Sequence, residues 1–146
     1  MKVVNRRARF DYQIQDKFEA GINLLGPEVK AVRLGQVDLL GSHVKIVGSE
    51  AYLINSRIYP YRYANLQDYD EKRTRKLLLH KKEIISLKSK LEGEGLSLIP
   101  LSIYTSRGFI KVELALAKGK KKFQKRESIK KKDIQRQVEE EAFGNN

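Results

Sequence analysis

Side chains able to do covalent or acid–base chemistry are scarce in this chain. The two histidines, His43 and His80, lie far apart, no His-Glu-x-x-His arrangement occurs, and there is no cysteine to serve as nucleophile, thiolate ligand or disulfide partner. No metal, cofactor or redox control is therefore expected. His80 fits the start of a helix, with Glu83 at capping-box spacing, better than it fits catalysis. Gly119-Lys120 lacks the upstream glycine and the Ser/Thr of a phosphate-binding loop, and Glu139-Glu140-Glu141 sits where no packed surroundings would raise a carboxyl pKa. An enzyme is not expected.

Phosphate and base recognition is better supplied. Tyr59-Pro60-Tyr61-Arg62-Tyr63 and Lys122-Phe123-Gln124-Lys125-Arg126 interleave rings, which stack on unpaired bases, with cations, which neutralise phosphate. The tyrosines are read first as core or rim packing of a small barrel. Phe123, a lone aromatic inside a lysine run with no local core to join, is read as a stacking residue.

The charge balance points the same way. Thirty Lys and Arg against eighteen Asp and Glu give +12 over 146 residues, the electrostatic footprint of a polyanion binder. Residues 1–117 hold twenty basic and thirteen acidic groups, and residues 118–146 ten and five, so both parts are positive, +7 and +5. Apolar runs such as Leu77-Leu78-Leu79 are far too short to span a bilayer, and Met1 to Arg7 opens no signal-peptide stretch, so no membrane partner and a cytoplasmic location are expected.

The elements that must position these residues are mainly strands. A length of 146 residues and 40% hydrophobic content suit one modest core. Phe10, Tyr12 and Ile14 alternate on a first strand, and Ile22 and Leu24 on a second. Gly26-Pro27 opens a short helix that Gly35 closes. Residues 44–47, the turn Gly48-Ser49 and residues 51–54 form a hairpin, and residues 76–79 form a strand buried on both faces. A longer helix runs from Lys81 to about Leu91, ended by Glu-Gly-Glu-Gly. In a last hairpin about Ser106-Arg107-Gly108, Ile99, Leu101 and Ile103 share a core face with Ile110, Val112, Leu114 and Leu116, while Lys111 and Glu113 turn to solvent. The predicted fold is mainly β with flanking helices: an OB-like small β-barrel over 1–117, followed by a basic C-terminal tail, 118–146, disordered alone.

Blocks of sequence then resemble the small protein B family, the SsrA-binding proteins that bind tmRNA in bacterial trans-translation. They are Asn5-Arg6-Arg7-Ala8-Arg9 with Tyr12, Glu19-Ala20-Gly21-Ile22, Gly26 with Glu28-Val29-Lys30, Arg33 with Gly35, Arg73 with Arg75 to Leu79, Gly95-Leu96 to Tyr104, Lys111-Val112, and Ala117 to Lys121. The resemblance implies an OB-like barrel that holds the tRNA-like domain of tmRNA and brings alanyl-tmRNA to stalled ribosomes, with elongation factor Tu as a partner through the alanyl-tmRNA, and a monomeric chain.

By the same resemblance, Glu19, Leu78 and Lys111 fall at RNA-binding positions, with Lys30, Arg33 and Lys76 in the surrounding motifs. Lys111 suits phosphate, Leu78 a splayed base or sugar, and Glu19 a base or 2′-hydroxyl donor, unless Glu19 instead orients a neighbouring arginine. The tail is implied to occupy the decoding centre and empty mRNA channel of the small ribosomal subunit in place of a codon–anticodon stem, through Lys118, Gly119, Lys120, Lys121, Lys122, Phe123, Lys125 and Arg126. Ile129, Ile134 and Val138 would organise it as a helix when bound. Gln124 stands where the family commonly has Asp, which implies weaker local ordering but leaves the cations. A barrel-type translation factor or ribosomal protein with a basic extension is the alternative reading.

Overall fold

The computed structural model describes residues 1–64 and 67–120, together with Lys125, Arg126 and Arg136. Among residues 1–120, the described elements follow in the order β1 (Lys2–Val4), α1 (Ala8–Asp11), β2 (Tyr12–Ile22), α2 (Gly26–Arg33), β3 (Val37–Asp38), β4 (His43–Val47), β5 (Glu50–Ile54), β6 (Arg57–Ile58), β7 (Arg75–Leu78), α3 (Lys81–Glu94), β8 (Ser97–Ser106) and β9 (Phe109–Gly119). All sheet pairings are antiparallel. Their order, β1-β8-β4-β5-β7-β2-β9, closes because β8 also pairs with β9. The result is the expected small β-barrel with flanking helices, in which closure leaves few edges for another chain to extend.

Both tight hairpin turns follow from local chemistry. Arg107 and Gly108 both have positive φ, 51° and 81°, between the paired residues Ser106 and Phe109, the backbone of a two-residue turn whose twist matches that of its strands. Gly48 takes φ 63° between the paired Val47 and Glu50. Pro27 sits in the first turn of α2, and Gly35 takes the left-handed conformation just beyond it, φ 75°. The longer helix passes through Gly93 to Glu94, three residues beyond the expected end at Leu91, and stops at Gly95, φ 62°.

Three strand expectations are corrected. Phe10 lies in the single helical turn α1, where Arg7 O accepts the N–H of Phe10 and of Asp11. The residues read as two strands then form one, β2, whose register shifts between Ile14 and Asp16. That bulge moves the apolar phase across the sheet: Tyr12 and Ile14 join a small cluster with Ala8, while Phe18, Ala20 and Ile22 join the main core. Leu24 lies past the strand end.

The same device breaks the alternation in β8, whose register shifts between Pro100 and Ser102. Ile103 faces the main core with Leu98, Val112, Leu114 and Leu116, but Ile99 and Leu101 pack on the other face against Ala8, Ala115 and Ala117. Asn5 pins the bulge, its backbone N–H donating to Leu101 O and its Nδ2 to Pro100 O at 2.8 and 2.9 Å. Finally, β7 is buried on one face only: Arg75 and Leu77 point inward, whereas Leu78 is 54% exposed.

Candidate nucleic-acid interface

Strand pairing assembles the outer patch from four strands. Leu78 on β7 stands opposite Gly21 on β2, Gly21 opposite Lys111 on β9, and Lys111 opposite Tyr104 on β8. These residues form one row across the barrel's outer surface. Gly21 is what lets the row lie flat: a Cβ built there would meet the Leu78 Cβ at 3.2 Å and its Cδ1 at 3.4 Å. Leu78 therefore lies over bare backbone with its far side open to solvent.

Two further groups complete the patch. Phe109, 69% exposed, shares the outer face with Lys111, whose Nζ lies 5.9 Å from the ring centroid. Arg33 reaches from α2 to Gly108 O at 3.5 Å. A groove lined by Gly21, Leu78, Phe109, Lys111 and Arg33, about 290 Å³ in volume, runs between them. Open apolar surface ringed by cations can hold a base or sugar while neutralising its phosphate.

Glu19 lies one step along the same sheet, directly opposite Glu113. Its Oε2 accepts a hydrogen bond from the Tyr104 hydroxyl, so its structural partner is a tyrosine and not the arginine considered from sequence. Burial first, then the hydrogen bond to Glu19 and the charges of Glu19 and Glu113, push the Tyr104 hydroxyl up to about 12. It stays protonated, and Glu19 stays a held acceptor at the patch edge.

Lys76, two residues before Leu78, shares the outer face of β7 and donates to Glu50 Oε1 at 3.1 Å. The Tyr52 hydroxyl, and then Lys76, hold the Glu50 carboxyl below its ordinary range. Both members of the Lys76–Glu50 pair are 43% exposed, so the pair is weak enough for the lysine to turn to a phosphate. Lys30 faces elsewhere, over the Tyr61 ring at 5.5 Å. The structure thus brings together Leu78, Lys111 and Arg33, with Glu19 and Lys76 adjoining, and leaves Lys30 outside the groove, over the Tyr61 ring.

What fixes α2 against β7 is a buried ion pair. Glu28 is 1% exposed and Arg75 fully buried. Arg75 donates through Nε and a terminal nitrogen to Glu28 Oε2, at 2.9 and 2.6 Å, and its remaining donors go to Ser56 O, Glu71 O and the Tyr69 hydroxyl. Glu28 Oε1 takes Arg73 and the Leu25 backbone N–H that opens α2. Burial pushes the Glu28 carboxyl up, but the bonds from Arg73, Leu25 and Arg75 and the Arg75 charge outweigh it and hold the carboxyl below its ordinary value. The clamp spaces Arg33 from Leu78.

At the root of the tail, Lys118 and Gly119 are paired residues of β9, opposite Gln13 and Tyr12. Lys120 donates its backbone N–H to Asp11 O and its Nζ to Arg9 O. Lys125 pairs with Asp11 at 3.5 Å and lies 5.9 Å from the Phe10 ring centroid, while Arg126 is exposed. Lys121, Lys122, Phe123, Gln124 and the apolar residues Ile129, Ile134 and Val138 lie outside the described residues. Among the described residues, no group of three or more His, Asp or Glu is placed to hold a metal, and no helix is long and apolar enough to cross a membrane.

Sequence reasoning missed Gly21 as the seat of Leu78, Phe109 and Tyr104. The signals were present. Phe109 is two residues from Lys111 on a strand of period two, and a two-residue turn at Arg107-Gly108 puts Tyr104 opposite Lys111.

The profile of the family described as SmpB protein matches residues 2–143. An SsrA-binding protein of Chlorobaculum tepidum is 50% identical over 139 residues, covering 94% of this chain and 88% of its own. One from Sulfurihydrogenibium is 49% identical over 140 residues, 96% of this chain and 92% of its own. A solved chain from a study of tmRNA–SmpB and its journey to the center of the bacterial ribosome is 49% identical with a TM-score of 0.69, over 83% of this chain and 85% of that one.

Proposed function

This chain belongs to the SmpB family, and on that premise we propose that it binds tmRNA and serves trans-translation on the ribosome. The barrel holds the tRNA-like domain of tmRNA. The chain delivers alanyl-tmRNA to stalled ribosomes, with elongation factor Tu engaged through the alanyl-tmRNA, and so enables tagging of the nascent chain and ribosome rescue. The carrying observation is the row Leu78–Gly21–Lys111 flanked by Phe109 and Arg33.

In this reading Leu78 and Phe109 cover a splayed base or sugar, and Lys111, Arg33 and Lys76 meet phosphates. Glu19, held by Tyr104, accepts from a base amine or 2′-hydroxyl. The protein recognises and positions RNA and makes or breaks no bond. It works as a cytoplasmic monomer in two parts, a core over 1–117 and a tail from 118. The tail's cations and Phe123 enter the decoding centre and mRNA channel of the small subunit, where its apolar residues organise a helix.

Replacing Lys111 with Ala tests the phosphate contact. The tRNA-like domain should bind more weakly, and the slope of log K against log salt should become shallower by about 1, the loss of one phosphate contact. A weakened affinity with an unchanged slope would place Lys111 on something other than phosphate.

Gly21→Val tests the seat of Leu78. Its side chain would occupy the space where Leu78 now lies, so affinity should fall on the order of tenfold, about 1.4 kcal/mol. The salt slope should stay unchanged, because no cation is lost. Binding isotherms at several salt concentrations, with a thermal melt to confirm folding, check both.

A further inference from the structure

The tyrosine segment that sequence reading assigned to core or rim packing is largely outside the barrel. Tyr61 is the anchor: it packs against the main core and supports Tyr63 in an edge-on contact, ring centroids 5.6 Å apart. Tyr63 itself is 76% exposed, and Tyr59 38%. Each ring has a cation beside it: Lys30 at 5.5 Å from Tyr61, Arg62 at 5.6 Å from Tyr63 and Arg57 at 5.7 Å from Tyr59. Arg57 is also paired with Glu71, so Lys30, over Tyr61, and Arg62, over Tyr63, are the ring-facing cations of this segment without a carboxylate partner among the described ion pairs.

The start of the segment is tied to the barrel. Tyr59 N–H donates to Gln36 O and Ile58 N–H to Glu71 O, while Val37 pairs with Ile58 just ahead of the rings. Helix α2 joins this segment to the barrel patch, because Lys30 and Arg33 are three residues apart and so share a helix face. Lys30 serves the tyrosines and Arg33 the groove beside Leu78.

We propose that Tyr63, backed by Tyr61 and flanked by Lys30 and Arg62, is a second RNA contact, on which an unpaired base of the RNA bound at Leu78 and Lys111 stacks. This rests on the tmRNA-binding reading. A protein partner would be expected to cover exposed tyrosines too, but a ring row interleaved with cations and joined by a basic helix to a phosphate-binding patch is matched to a polyanion whose bases offer flat faces. The stack supplies affinity without reading sequence. Lys30 and Arg62 bind the adjoining phosphates.

The test measures binding of the full chain to the tRNA-like domain of tmRNA at several salt concentrations, for the wild type, Tyr63→Ala, Tyr63→Phe, Lys30→Ala and Lys111→Ala. Tyr63→Ala should weaken binding about tenfold or more, the loss of one stacked base, with an unchanged salt slope. Tyr63→Phe should bind like the wild type, because the ring and not the hydroxyl is used. Lys30→Ala should make the slope shallower by about 1. Ultraviolet crosslinking should join the Tyr63 peptide to a nucleotide that is unpaired in the RNA. Wild-type affinity for Tyr63→Ala beside a weakened Lys111→Ala would overturn the second contact and leave the tmRNA reading standing. If Lys111→Ala also bound as tightly as the wild type, the tmRNA reading at this patch would fail with it.

Discussion

A chain ending at Lys120 should bind the tRNA-like domain of tmRNA within a few-fold of the intact protein and should no longer support tagging on stalled ribosomes. The cut falls there for structural reasons. Strand β9 is paired through Gly119, and the Lys120 backbone N–H closes on Asp11 O, so an earlier end would fray the barrel beside Tyr12 and Gln13. Among the described contacts, the cut removes the Lys125–Asp11 ion pair and the approach of Lys125 to Phe10. With Asp11 31% exposed, that pair is worth about 0–1 kcal/mol, and the melting temperature should barely move. Every residue of the Leu78–Lys111 patch is retained. Tagging should drop to background, because Lys121, Lys122, Phe123, Lys125 and Arg126, proposed for the decoding centre, are gone. Loss of RNA binding together with tagging would contradict the division of labour between barrel and tail.

Arg75→Ala is expected to be the most destabilising single change in the barrel, costing about 3–5 kcal/mol and lowering the melting temperature by more than about 10 °C. The substitution leaves the Glu28 carboxylate buried without its chief cation and frees the carbonyls of Ser56 and Glu71. It also uncouples α2 from β7, so RNA affinity should fall although Arg75 is fully buried and touches no RNA. A melting temperature within about 2 °C of the wild type would show that the clamp is dispensable.

The clamp also sets a pH dependence. The Glu28 carboxyl is held below its ordinary 4.5 in the folded chain. A carboxyl lowered by folding stabilises fully above its unfolded value, and that stabilisation is lost as pH falls through the folded one. Glu28→Gln should therefore melt well below the wild type near neutrality, and the gap should begin to narrow below pH 4.5 and close once pH has fallen through the lower folded value, where the wild type too is neutral at this position. Parallel melts across that pH range check the sign.

Much of this was legible in the sequence because the signals were local. Proline and glycine at the ends of α2, the turn at Gly48-Ser49, the turn read at Ser106-Arg107-Gly108, and the mainly β character all depend on neighbouring residues. The errors came where a single residue changes what its neighbours face. Bulges in β2 and β8 reverse the side on which apolar residues lie, so Ile99 and Leu101 left the face assigned to Ile103 although the spacing by two is unbroken.

The site was legible in part for the same reason. Family motifs placed Leu78 and Lys111, but run Lys76 to Leu79 read as a buried strand, and only the pairing of Leu78 with Gly21 explains an exposed leucine there. Glu28 and Arg75 stood in the recognised motifs without a role, since a buried ion pair between residues 47 positions apart leaves no periodic trace. Tyr61 and Tyr63 divide what sequence treated as one cluster, the first packed on the core and the second turned to solvent.

Selective recognition of tmRNA is measured by competition binding: purified protein, the tRNA-like domain of tmRNA, and an equal-length structured RNA as competitor, across a range of salt concentrations. Preference for the tRNA-like domain should persist at moderate salt. Equal binding to both RNAs, vanishing together as salt rises, would contradict it and leave a generic basic RNA binder.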